Sequence, residues 1–144
     1  MTDTEAWLAA RAALRQQDFE AAIEQLLVVV EEDDEDAEAL CFLGACYGQT
    51  GLYVEAEFYL SKACDVAPEM PQAHFNLARC FQARGQYEMA VRCYENALRA
   101  KRDYTAALDA LKAMGAHISP ELAPSEAAPD ESDEVAADQA APAP

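Results

Sequence analysis

Apolar residues recur along most of the chain at the spacing of an α-helix. Leu40, Leu43, Gly44 and Tyr47 are separated by steps of three, one and three, which puts them on one helical face. Ala56, Leu60 and Ala63 repeat the pattern with steps of four and three. Gly51 lies between the two runs, where a residue of positive φ can end the first helix. Pro68 follows the second run and blocks its continuation. The segment predicts two helices joined by a tight turn.

The same pattern returns 34 residues later. Cys46 and Cys80, Gly51 and Gly85, Tyr53 and Tyr87, Ala56 and Ala90, and Ala63 and Ala97 are each 34 apart. Leu43 likewise matches Leu77, and Tyr47 matches Phe81. Residues 37–70 and 71–104 are thus two copies of one unit. Gly44 and Ala78 are small where the two helices of a unit must cross closely. A degenerate first copy occupies residues 3–36, with Ala6, Ala9, Ala10, Ala13, Ala22, Leu26 and Val29 in phase. There Phe19 replaces the inter-helix Tyr, and Asp34 replaces the proline. Thr2 and Glu5 fit a capping box for its first helix, and Asp36 fits an N-cap for the next unit. Residues 105–116 predict one more helix, with Leu108 and Leu111 at the signature positions. Its missing partner falls on Ser119, Pro120 and Pro124.

These positions resemble the tetratricopeptide repeat, whose pattern is W-x2-L-G-x2-Y, then A-x3-F, then A and P. The second unit meets it with Leu40, Leu43, Gly44, Tyr47, Ala56, Leu60, Ala63 and Pro68. The third supplies His74, Leu77, Ala78, Phe81, Ala90, Tyr94 and Ala97, and departs at the final proline, which is Arg102. The resemblance covers residues 3–116. It implies an all-α fold, an α-solenoid of three helix pairs with a C-terminal capping helix that covers the last unit.

Composition agrees with helix, since 32 of the residues are Ala, the strongest helix former. The net charge of −17 argues against nucleic acid and against anionic membrane as partners. It divides into unlike blocks: −13 over residues 1–70, +3 over 71–118 and −7 over 119–144. The last block holds five of the seven prolines, no aromatic and no base. It cannot bury enough apolar surface to offset its ordering entropy, so a disordered acidic tail is expected. The start of the sequence has no basic or long apolar run of an export signal, and the cytoplasm is the expected compartment. A monomer or weak self-association between acidic and basic halves is expected.

Candidate chemistry is sparse. The two histidines lie apart: His74 at a core signature position and His117 beyond the last helix. No phosphate loop or nucleophile motif is present. The five cysteines fit the repeat as small buried hydrophobes, and Cys41 and Cys46 are about 140° apart on a helix, unsuited to sharing a metal. The run Glu31 to Asp36 lacks the alternation and glycine of a calcium loop and reads as a solvated turn. The expectation is no enzyme activity, no cofactor and no metal.

In the family that the chain resembles, the first helix of each unit lines a concave groove. Carried onto this sequence, the first unit offers Trp7, Leu8, Arg11 and Arg15, with Thr4 and Leu14 beside them. The second offers Phe42, Ala45 and Gln49, flanked by Glu38, Cys41 and Gly48. The third offers Gln72, Phe75, Asn76, Arg79 and Gln82, with Ala83. Trp7, Phe42 and Phe75 give one large aromatic per unit, expected to stand free of the core, beside Arg11, Arg15 and Arg79. Aromatics and arginines dominate binding hot spots. Asn76 resembles the groove asparagine with which some family members grip a peptide backbone. Of the positions with which the family's co-chaperones hold a terminal carboxylate, only Arg11 carries a cation here. The expected partner is therefore a protein or peptide segment with apolar anchors and some acidic residues, bound by a small adaptor. A cytoplasmic chaperone resembling those of type III secretion, shielding apolar cargo, is the alternative. The acidic tail could fold back into the groove as a competitor.

Overall fold

The computed structural model describes residues 3–123, with side chains from Glu5 onward. Seven α-helices follow one another: α1 (Asp3–Arg15), α2 (Phe19–Glu32), α3 (Ala37–Gln49), α4 (Tyr53–Val66), α5 (Pro71–Ala83), α6 (Tyr87–Ala100) and α7 (Thr105–Ala113). Each packs against the next along the chain, and α3 also touches α5. Among the described residues there is no strand. The arrangement is an all-α solenoid of helix pairs.

The turn after every first helix is built alike. Gly51, Gly85 and Gly115 take φ of +83°, +78° and +72°. Around each, two backbone N–H groups reach back to the last helical carbonyls, as in Leu52 to Tyr47 and Gly51 to Gly48. The first unit keeps this turn without glycine. Gln17 holds φ at +58°, and the N–H groups of Asp18 and Gln17 bond the Ala13 and Leu14 carbonyls. Helix starts are set by side chains in the first half. Asp18 and Asp36 each accept an N–H at 3.1 Å, from Ala21 and Ala39. Pro71 opens α5, where its missing N–H costs nothing.

Small residues let the paired helices close. Ala10, Ala22, Ala56, Ala78 and Ala90 are fully buried. At Gly44 a Cβ would overlap Leu60 Cγ, so only glycine fits with Leu60 as placed. Leu26, Leu40, Leu43, Leu60, Tyr94 and Leu98 fill the space between units. His74 donates from Nε2 to the Pro68 carbonyl at 2.9 Å, tying α5 to the turn before it. All five cysteines are free thiols, four of them buried and Cys64 half-buried.

The C-terminal end departs from the sequence expectation. The last helix ends at Ala113 and not near Ala116, because Gly115 turns the chain left-handed. The acidic tail was expected to start at residue 119. Instead Pro120–Leu122 form a 3-10 turn against α6, with Leu122 buried and Ile118 packed on the core. Arg102 Nη2 donates to the Ala123 carbonyl at 2.9 Å. The cause is apolar: Ile118 and Leu122 supply the cover that a full second helix would have given. The expected capping box at Thr2 and the remainder of the tail lie outside the described residues.

Candidate functional site

The inner helices α1, α3 and α5 carry equivalent positions 34 residues apart, so the site is read best in register. One register holds Trp7, Cys41 and Phe75. The next holds Leu8, Phe42 and Asn76. A third holds Arg11, Ala45 and Arg79.

The first register is mostly core. Phe75 is only 5% exposed and packs on Tyr94 and Tyr104, with ring centroids 5.6 and 5.8 Å away. The expectation that Phe75 stands free of the core is corrected. Its counterpart Cys41 is buried as well. Only Trp7 is half-exposed at this register, because no unit precedes it in the described chain. Its ring meets Phe42 edge-on at 6.1 Å, and its indole N–H donates to Asp36 Oδ2 at 3.3 Å. Asp36 therefore both caps α3 and holds Trp7 toward the second unit.

The arginines lie on aromatic faces. Arg11 stands 4.9 Å above the Trp7 ring, and Arg79 stands 5.7 Å above Phe75. Such stacking positions a guanidinium at low entropic cost. Between them the register carries Ala45, which with residues of α4 and α5 lines a cavity of about 140 Å³ that Arg79 borders and Arg11 does not. Its floor is Gly44, Ala45 and Gly48, and its walls include Gln49, Tyr53, Asn76 and Arg79.

Asn76 is the one buried polar residue among the described core, at 3% exposure. Its Nδ2 donates to Cys41 Sγ at 3.5 Å, while Oδ1 is buried with no protein partner. A buried acceptor without a donor costs about 1–3 kcal/mol. Asn76 also lines the cavity, beside its glycine floor.

Other candidates have different surroundings. Gln82 accepts the Tyr94 hydroxyl at 2.7 Å, and burial pushes that phenol up to about 12. Leu8 is 60% exposed and Arg15 is exposed. Gln72 is half-buried and does not line the cavity. Gly44, Tyr53 and Cys80 line it without having been singled out from the sequence for the groove. The thiols offer no ready nucleophile: burial pushes Cys41, Cys46 and Cys64 up to about 12 and Cys93 to about 11. Among the described residues no cluster of metal-ligating side chains occurs, and no helix is long and apolar enough to cross a membrane.

Comparisons with known proteins agree with this architecture. Among curated proteins there is no match. Among solved structures, a mutant O-GlcNAc transferase from Thermobaculum terrenum is similar at 28% identity and a TM-score of 0.73. That match covers 78% of this chain and 22% of the transferase, so the chain spans a small part of that protein. The TPR2B domain of yeast Sti1, solved in a pHsp70 complex, has 19% identity and a TM-score of 0.71, covering 80% of this chain and 92% of the domain. The Sgt2 TPR domain from Aspergillus fumigatus has 17% identity and a TM-score of 0.67, covering 90% and 89%. Two family models, both of the tetratricopeptide repeat, match residues 8–68 and 49–115. The chain belongs to the tetratricopeptide repeat family.

Proposed function

We propose that the chain is a protein-interaction module, not an enzyme, and that it binds a segment of a partner along the inner face of α1, α3 and α5. The observation that carries this reading is Asn76: a buried carboxamide with an unpartnered Oδ1, in the lining of a cavity that the stacked Arg79 also borders. A partner backbone N–H satisfies Oδ1. Arg11 and Arg79 pair with carboxylates of the same segment, and Trp7 with Phe42 receives an apolar anchor. The yeast domain's pHsp70 complex is in keeping with such a role.

Selection of displayed peptides against the full chain tests the reading. Arg11→Glu or Arg79→Glu should each weaken the best peptide about tenfold, roughly 1.4 kcal/mol. Arg92→Glu, on exposed α6 surface, should not. Equal affinity for all three variants would refute the assignment.

A cargo-shielding chaperone is the second reading. Val54 and Phe58, 69% and 63% exposed and one turn apart on α4, favour it. Replacing both with Ser should then lower the soluble yield of a co-expressed apolar cargo, whereas an adaptor's peptide affinity would not change.

A further inference from the structure

We propose that the outer face of α4 is a self-docking surface, on which a second copy of the chain packs α4 against α4 about a two-fold axis parallel to that helix. The surface belongs to the second helices of the units and is independent of the groove on α1, α3 and α5.

The repeat does not require the apolar pair on that face. At 34-residue spacing, Val54 matches Glu20 and Glu88, and Phe58 matches Glu24 and Arg92. All six are exposed, so the fold is served equally well by charges at these positions. Phe58 is also held in place. Tyr59 meets its ring edge-on at 5.0 Å and is itself stacked on Tyr47 at 5.6 Å. An ordered aromatic that projects into solvent serves as an anchor at low entropic cost. Leu52, at the start of α4, extends the patch. The face is convex. α3 touches α5, whereas among the described residues no comparable contact joins α2 to α4 or α4 to α6. The outer helices therefore fan apart, and α4 forms the crest.

Charge on the two flanks selects the occupant. Glu24 and Glu31 are exposed on α2, at one side of the crest, and Arg92 and Arg99 on α6, at the other. A partner seated on Phe58 must bring a base toward α2 and an acid toward α6. A second copy brings both. Rotation by half a turn about an axis along α4 sets Phe58 opposite Phe58 and each α2 opposite the other copy's α6. Glu24 of each copy then faces Arg92 of the other, and Glu31 faces Arg99. Among the described residues neither Glu24 nor Arg92 has an ion pair within its own chain. One row opposes the contact, because Glu20 faces Glu88. Two convex crests also meet over a small area, below the roughly 1,200 Å² of a standard stable interface. The association is therefore weak and forms at high concentration.

Sedimentation equilibrium of the full chain tests this. Between about 10 μM and about 1 mM the mass should rise from one chain toward two, and less so in about 0.5 M salt. Glu24→Arg and Arg92→Glu each set like charges across the axis, and each should weaken self-association about tenfold or more. An equal mixture of these two variants should regain it, because every reversed charge then meets an opposite one. Glu24 and Arg92 of one chain lie on α2 and α6, too far apart to meet, so only contact between chains gives that rescue. Phe58→Ser should leave single chains, folded as before by circular dichroism, since the ring is exposed. Glu20→Lys should tighten the contact by making its opposing row attractive. A wild-type chain still single at about 1 mM, or a mixture that associates no better than either variant alone, would overturn the proposal. So would a chain that stays single while its Val54 and Phe58 keep a co-expressed cargo soluble, which assigns the patch to the cargo.

Discussion

Gln17 holds a left-handed backbone in the position where the other units use glycine. A side chain there strains the turn, and glycine relieves it while giving back some entropy in the unfolded chain. Gln17→Gly should raise stability by about 0.5–1 kcal/mol in urea unfolding. A lower midpoint would contradict the account of that turn. Asp36 has two roles, as N-cap of α3 and as acceptor of the Trp7 indole N–H. Asp36→Ala should cost about 1–2 kcal/mol and change Trp7 emission, whereas loss of stability with unaltered emission would separate the two roles. The thiols predict a pH limit. Their ordinary value is 9.0, and burial holds three of them near 12. Above pH 9 the unfolded chain releases these protons and the folded chain keeps them from ionising. The stabilisation is fully present below pH 9 and is lost as pH rises toward about 12. Melting temperature should therefore be level below pH 9 and fall beyond it. A rise would show the thiols to be stabilised as thiolates.

At the scale of helices, the 34-residue period made the array legible, because each unit must offer the same face to its neighbours. Gly51 and Gly85 were readable as helix ends for the same reason. Phe75 was not, although a signal existed: its repeat partner Cys41 is also buried, so that register belongs to the core. An aromatic side chain suggested binding, and the register decided otherwise. The segment after α7 was misread because its composition is that of the tail. Two apolar residues four apart, Ile118 and Leu122, were enough to attach it. Leu122→Ala should cost about 2 kcal/mol if this turn is part of the fold. A change near zero would return residues 119–123 to the tail. Gly44 likewise has a definite expectation: Gly44→Val should lower stability by about 1–3 kcal/mol, since Leu60 lies where the new side chain must go.

At the scale of the molecule, charge and shape act on different faces. The acidic run at the junction of the first two units is solvent-exposed up to Glu35, and Lys62 approaches Asp34 at 3.9 Å. That exposed pair adds little stability. The inner face is different: its arginines rest on rings, and its one buried polar side chain lacks a donor. Composition could reveal the net charge but not this partition, because the cavity exists only where the small residues Gly44, Ala45 and Gly48 of α3 meet Tyr53 of α4 and Asn76 and Arg79 of α5. The groove was therefore legible as a face and illegible as a pocket.

The most direct measurement is the peptide-binding isotherm of Asn76→Leu, with unfolding by urea run beside it. The substitution removes a buried acceptor that nothing in the free protein satisfies, so stability should stay level or rise by about 1 kcal/mol. The same change should weaken a groove-selected peptide about tenfold, because the partner's N–H loses its acceptor. Undiminished affinity in a folded Asn76→Leu protein would contradict the account.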